Sequence, residues 1–226
     1  MKKTDITFVT IVLDGAENIK NYINCVKKGH AEGFKFICID GDSKDGTKEI
    51  LKANKQLFDY FISEKDDGFY FALNKAIKRV KTAYYLVFGI DDEIDFKNIQ
   101  KTLYDIKRYK YELICGSVLL NDSKIKKAKG KFLLSKYLGW GNFISHHSVG
   151  TIIATRLHSR YGYYSHHFSL LSDGFFSKNI KSCESKFSKI PITPYKIKPL
   201  INPKKYMDKV IKITMKINFL LLPIFL

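Results

Sequence analysis

Acidic residues carry the minority charge in this chain, and they gather after its apolar runs. Asp14 follows Ile6 to Leu13, Asp40 and Asp42 follow Phe34 to Ile39, and Glu64, Asp66 and Asp67 follow Tyr60 to Ser63. Asp91, Asp92 and Glu93 close the run Tyr84 to Ile90. Repeated carboxylates are hard oxygen donors, and Mg²⁺ or Mn²⁺ typically bridges one or two of them to substrate phosphates. Single carboxylates also accept from ribose hydroxyls or a base N–H. The chemistry on offer is the binding of a nucleoside diphosphate with a divalent cation. Acids also favour turns and helix N-termini, which accounts for Asp45 or Asp66 singly but poorly for the full set. No G-x-x-x-x-G-K-[ST] loop occurs, and no G-x-G-x-x-G follows a strand. Asp40 to Gly46 looks superficially like a calcium loop, but Lys44 occupies a ligand position and Leu51 stands where the bidentate Glu belongs.

The elements that must position these acids follow from periodicity. Ile6 to Leu13 is a nearly continuous β-branched run, as a strand buried on both faces requires. Residues 17–28 place Ile19, Tyr22, Ile23 and Val26 on one helical face, and Phe34 to Ile39 is a second buried strand. A short helix over Thr47 to Asn54 and a short strand over Tyr60 to Ser63 come next. From Gly68 to Lys81 the apolar positions Phe69, Ala72, Leu73, Ala76, Ile77 and Val80 predict an amphipathic helix, and Tyr84 to Ile90 a fourth strand. Strand and helix alternating in this way predict an α/β fold with a doubly wound, mostly parallel sheet and helices on both faces. Ligands in such sheets bind outside the carboxyl ends of the strands, where the acids fall. Further on, Phe96 to Ile106 reads as a helix, Tyr111 to Leu120 as one strand, 121–145 as a loop and Val149 to Ala154 as a strand.

The chain of 226 residues suits one good-sized domain, read as 1–200, with a separate segment over 201–226. Its net charge of +17 attracts nucleic acid, anionic lipid or phosphorylated small molecules without choosing among them. There is no zinc spacing, aromatic RNP-like strand or basic arm, so nucleic acid is not expected as a partner. The 4 cysteines show no C-x-x-C pair and read as free, buried thiols of a reducing compartment. After Met1-Lys2-Lys3 the apolar run is short and bracketed by Asp5 and Asp14, which fits a first strand rather than a signal peptide. No stretch reaches the roughly 20 apolar residues that cross a bilayer, so a cytoplasmic location is expected. Lys205, Lys209, Lys212 and Lys216 form one stripe of a basic amphipathic C-terminal helix ending in Phe219 to Leu226. Such a helix suits the inner face of the plasma membrane, or packing against the domain or a second subunit.

Three blocks then take on a joint meaning. Asp40-Gly-Asp-Ser-Lys-Asp-Gly-Thr47 resembles the D-G-x-S-x-D-G-T segment of family 2 glycosyltransferases. Ile62 to Lys75 resembles their I-S-E-x-D-x-G-I-Y-D-A-M-N-K, and Tyr85 to Asp92 resembles the segment that holds their metal. A fainter fourth block runs from Ser145-His-His through Arg156 and Tyr161-Gly-Tyr163 to Ser172-Asp-Gly-Phe-Phe176. The resemblance implies the GT-A fold, with a donor half over 1–95 and an acceptor half over 96–200. It also implies an inverting transfer from a nucleotide-diphosphate sugar, UDP-linked, to a glycan or lipid-linked acceptor in bacterial surface-polysaccharide synthesis. Carried over by position, Asp14 and Asp40 contact the uracil or ribose side, with Asp42, Asp67 and Lys75 near the donor. Asp91 and Asp92 hold Mn²⁺ or Mg²⁺, and Asp173 is the general base.

Other readings stay open at several of these positions. Ser172-Asp173 also suits a helix cap before Gly174. His146 and His147 are candidates for the acceptor or the metal, against an ordinary structural pair. The Lys-rich stretch 124–131 reads as a solvated loop or an attractor of an anionic acceptor. Phe71 stands where the family has Asp, and Gly89 where the first acid of its D-x-D would be. Those departures keep a relative without turnover in play. A nucleotidyltransferase is the other alternative, although Leu13 to Glu17 lacks the basic loop it would carry.

Overall fold

The structure, a computed structural model, describes residues 4–115, 117–119, 125–126, 150–166, 172–173, 176 and 191–194. The chain opens with β1 (Ile6–Val12), α1 (Ile19–Ala31), β2 (Lys35–Asp40) and α2 (Thr47–Ala53). It continues with β3 (Tyr60–Ser63), α3 (Phe69–Ile77), β4 (Tyr84–Val87) and α4 (Phe96–Tyr109). Then come β5 (Leu113–Cys115), β6 (Ser117–Leu119), β7 (Ile125–Lys126), β8 (Thr151–Ala154), α5 (Leu157–Tyr161) and β9 (Pro191–Pro194).

Six strands form the main sheet in the order β3-β2-β1-β4-β8-β5. β1 pairs in parallel with β2 and β4, and β2 with β3, so these four strands end on the same edge. β8 runs antiparallel between β4 and β5. Register puts Val12 beside Asp40, and Asp40 beside Ser63, in one row across the sheet. A smaller sheet has the order β7-β6-β9. The expected single strand over Tyr111 to Leu120 is therefore two: β5 belongs to the large sheet and β6 to the small one. Periodicity cannot reveal that division, because both pieces are apolar and each satisfies its backbone in a different ladder.

One layer of the core is aromatic. Phe8 of β1 stacks on Phe36 at 5.3 Å and meets Phe34, Phe88 and Phe96 edge-on within 5.7 Å. α1 fits closely over this layer because Gly29 has no side chain. A Cβ there would lie 2.5 Å from Phe36 and 2.6 Å from Phe96. The α3 helix ends at Ile77, short of the expected Lys81, since Arg79 and Val80 bond three residues back and turn the chain toward β4. Cys25 and Cys38 are free. Burial pushes the Cys38 thiol up to about 12, which makes it an inert packing residue. No helix among the described residues is long and apolar enough to cross a membrane.

Candidate active site

The ends of β1, β2 and β3 meet through side chains. Asp40 is fully buried, and its carboxylate accepts from Ser43 Oγ at 2.5 Å, from Ser63 Oγ at 2.6 Å and from Ser43 N at 3.3 Å. Ser43 Oγ in turn accepts from Asp14 N at 2.8 Å, and Asp14 Oδ1 accepts from Lys44 N at 2.8 Å. Two further contacts join the same loops: Gly15 N donates to Thr47 Oγ1 at 2.9 Å and Ala16 N to Asp45 Oδ2 at 2.7 Å. The family resemblance brought Asp14 and Asp40 forward as donor contacts. The structure brings them together, with the Asp40 carboxylate and one Asp14 oxygen shaping the loops and the rest of Asp14 exposed.

Asp42, Asp67 and Lys75 have separate surroundings. Asp42 adopts φ 69 and pairs with Lys44 at 2.5 Å and Lys48 at 2.6 Å. Those two ammonium groups hold its carboxyl down at about 2. Lys75, on α3, pairs with Glu64 at the end of β3. Asp67 is exposed in the turn before α3, where Asp66 Oδ1 accepts from Gly68 N at 2.8 Å.

The loop after β4 folds its acids against its own start. A Cβ added to Gly89 would lie 2.6 Å from Asp91 Oδ1 and 3.1 Å from Asp92 Oδ2, so the absent side chain is what lets both carboxylates approach. Asp92 is buried and accepts from Gly89 N at 2.5 Å. Burial raises its carboxyl to about 7; the Gly89 N–H opposes the shift and neighbouring Asp91 adds to it. Asp91 is half-buried and has no protein donor among the described residues. A buried carboxyl with this raised pKa beside a second carboxylate suits a hard divalent cation, which would favour the charged form. No cluster of three or more such ligands occurs among the described residues, so an ion here would be completed by substrate phosphate and water. The loop sits beside the β1 end: a Cβ on Gly15 would meet Ile90 Cδ1 at 2.0 Å.

Asp173 lies against α3. Tyr70 OH is 3.2 Å from Asp173 Oδ1. Behind this pair is a buried polar chain that sequence reasoning missed. Asn74 Nδ2 donates to Tyr164 O at 2.8 Å, and Tyr164 N donates to Asn74 Oδ1 at 3.0 Å. Tyr164 OH and Tyr85 OH are 2.9 Å apart, and Tyr85 OH is 2.7 Å from His158 Nε2. His158 Nδ1 meets Gly162 O at 3.0 Å. A carbonyl only accepts, so Nδ1 carries the proton, Nε2 accepts from Tyr85, and Tyr85 accepts from Tyr164. Burial lowers His158 below its ordinary value, in keeping with the neutral ring. The signal in the sequence was Asn74, a polar residue among the apolar positions of α3. Tyr164 is core, whereas Tyr163 is exposed and stacks on His158 at 5.2 Å. His146, His147 and the segment 205–226 lie outside the described residues, as does the stretch 124–131 apart from Ile125–Lys126 of β7.

A sequence profile described as "Glycosyl transferase family 2" matches residues 7–174. The chain belongs to glycosyl transferase family 2. That match spans both the strand-end acids and Asp173. Curated protein sequences give no match. Among solved structures, S. aureus TarS 1-349 in complex with UDP-GlcNAc is similar with a TM-score of 0.66 at 15% identity, over 86% of this chain and 59% of that one. The complex of TarS 1-349 with UDP gives 0.63 at 14%, over 87% and 61%. The mannosyltransferase PcManGT from Pyrobaculum calidifontis in complex with GDP-Man and Mn2+ gives 0.64 at 11%, over 87% and 57%. At such identities the likeness is one of fold, and the family 2 chain adopts the GT-A sheet its motifs led us to expect. It spans about three fifths of these neighbours' length.

Proposed function

We propose that this chain transfers a sugar from a nucleotide-diphosphate donor, UDP-linked, to a hydroxyl of a glycan or lipid-linked acceptor. The transfer inverts the anomeric carbon and serves the synthesis of a bacterial surface polysaccharide. The observation that carries the reading is the convergence of the β1, β2 and β3 ends on Asp40 and Ser43, with the Asp91–Asp92 loop beside them. Family membership supports it, as do neighbours that hold UDP-GlcNAc and GDP-Man with Mn2+.

In this reading Asp14 and Asp67 meet the donor, while Asp40, Asp42 and Lys75 shape its surroundings. Asp91 and Asp92 hold Mn²⁺ or Mg²⁺, which when bound offsets charge growing on the departing diphosphate. Asp173 takes the proton from the acceptor hydroxyl, a contribution of about 10²–10⁴-fold for a well-placed base. The acceptor oxygen bonds to the anomeric carbon, and the bond from that carbon to the diphosphate oxygen breaks on the opposite face. The lysine stripe of 205–216 supports a peripheral site at the inner face of the plasma membrane. Membrane fractionation of a chain lacking 205–226 tests that part, with unchanged pelleting against it.

The test of the whole is thermal unfolding with UDP, GDP, UDP-GlcNAc and GDP-Man, each with and without Mn²⁺. A ligand present at a hundred times its Kd adds about 2.7 kcal/mol, so a clear rise in Tm that needs Mn²⁺ is expected. An unchanged Tm with every nucleotide contradicts the proposal.

A further inference from the structure

Asp173 is held from outside its own turn. Besides the 3.2 Å contact with Oδ1, the Tyr70 hydroxyl lies 3.5 Å from Asp173 N. Burial, reinforced by the Asp173 charge, pushes the Tyr70 phenol far above its ordinary value. The phenol therefore keeps its proton and donates it to the carboxylate.

The start of α3 fixes the place of that hydroxyl. Gly68 takes φ 125, a conformation that favours glycine, and its carbonyl accepts from Phe71 N at 2.9 Å and Ala72 N at 3.2 Å. The Tyr70 ring then packs 5.6 Å from that of Tyr164. The segment leading into α3 is anchored at the donor side as well, since Ser63 bonds Asp40 and Glu64 N donates to Asp40 O at 2.9 Å. One short stretch thus contacts the buried acid of the donor rim at one end and Asp173 at the other.

A second hold acts from beyond Asp173. Phe176 stacks on His158 at 4.4 Å with rings 16° apart, and lies 4.9 Å from Tyr164. His158 is itself locked between Tyr85 and Gly162. Ser172 Oγ donates to Ser165 O on the other side.

We propose that Tyr70 is a positioning residue for the transfer: its hydroxyl aims the Asp173 carboxylate at the acceptor, against a turn braced by the Phe176–His158 stack. This rests on the reading of Asp173 as the base. Losing an orienting partner of a reactive group costs on the order of 10–100-fold in activity.

The full chain with UDP-GlcNAc and Mn²⁺, releasing UDP to water as acceptor, gives the measurement. Wild type, Tyr70→Phe, Asp173→Asn and the double variant are compared for kcat, KM and Tm. Tyr70→Phe is expected to lower kcat by about 10–100-fold with KM and Tm near wild type, and to cost nothing further in the Asp173→Asn background. Phe176→Leu, which loosens the same turn from its other side, is expected to show the same split between kcat and KM. An inactive Asp173→Asn beside a fully active Tyr70→Phe overturns the positioning role and leaves the base standing. Full activity of Asp173→Asn removes both. An undiminished further loss from Tyr70→Phe in the Asp173→Asn background also overturns the inference, because it shows Tyr70 acting independently of Asp173.

Discussion

The Ser43 hydroxyl donates to Asp40 at 2.5 Å while it accepts from the main chain of Asp14 at 2.8 Å. One small side chain thereby couples the ends of two adjacent parallel strands, and Ser63 extends the link to a third. Asp40, fully buried at the centre, belongs to the construction of the rim. Asp91, half-buried and without a protein donor among the described residues, is the acid we propose to act on a ligand.

These two acids are predicted to respond oppositely to truncation. Hydrogen bonds to charged groups contribute about 1.5–3 kcal/mol each, so Asp40→Ala should lose roughly 3 kcal/mol or more in denaturant unfolding. Asp91→Ala should unfold like wild type but lose on the order of 10²-fold or more in turnover, the equivalent of several kcal/mol of charge stabilisation. Equal stability losses in the two variants would contradict this division.

In its proposed role as a metal ligand, Asp92 makes cation affinity depend on pH. Its folded-state carboxyl, raised by burial to about 7 from an ordinary 3.8, must lose a proton before it can hold a cation. Mn²⁺ affinity should therefore rise as pH passes upward through about 7, and this rise should vanish in Asp92→Asn. Without metal the sign of the stability change is the reverse. The folded state binds the proton more tightly, so Asp92 favours folding at low pH, and that contribution is lost between 3.8 and about 7. Calorimetric Mn²⁺ titrations on either side of pH 7 check the first effect, and unfolding curves in chelator the second.

His158 acts in the other direction. Burial lowers its pKa beneath the ordinary 6.5, so the unfolded chain takes up its proton first as pH falls. Its contribution is complete above 6.5 and declines as acid protonates the ring and breaks the bond from Tyr85. Relative to His158→Phe, the wild type should lose stability progressively below that pH. Parallel curves for the two proteins would remove His158 from the acid response.

Asn74 holds the chain near Tyr164 through a two-way amide contact. Asn74→Ala leaves the Tyr164 N–H and carbonyl buried without these partners, at about 1–3 kcal/mol for each group. A loss of roughly 2–6 kcal/mol in urea unfolding is expected. A loss within about 0.5 kcal/mol, the usual range of surface substitutions, would show that the pair contributes little.

Much of the sheet could be read from the sequence because β1 and β2 are buried on both faces and their apolar runs are unbroken. The signal was weaker at α4, read only as a helix over Phe96 to Ile106, and the structure buries Phe96, Ile99, Leu103 and Ile106 on one face. β9 gave no such signal, since it begins and ends with proline. The acids at the strand ends were legible as a set, but not their division of labour. Whether a carboxylate faces a ligand or bonds the loop behind it depends on neighbours such as Ser43, Lys48 and Ser63, brought near by the fold. The Tyr85–His158–Tyr164 chain was hidden for a related reason: its members are far apart in sequence and meet only across β4, α5 and the segment that follows.

The most direct measurement is calorimetric titration of UDP and GDP, with Mn²⁺ and with chelator, into wild type and Asp91→Ala. Binding of a nucleoside diphosphate is expected to depend on Mn²⁺ and to weaken at least about tenfold, or 1.4 kcal/mol, without the Asp91 carboxylate. Binding of equal strength in chelator and in Asp91→Ala, or no binding of either nucleotide, would contradict it.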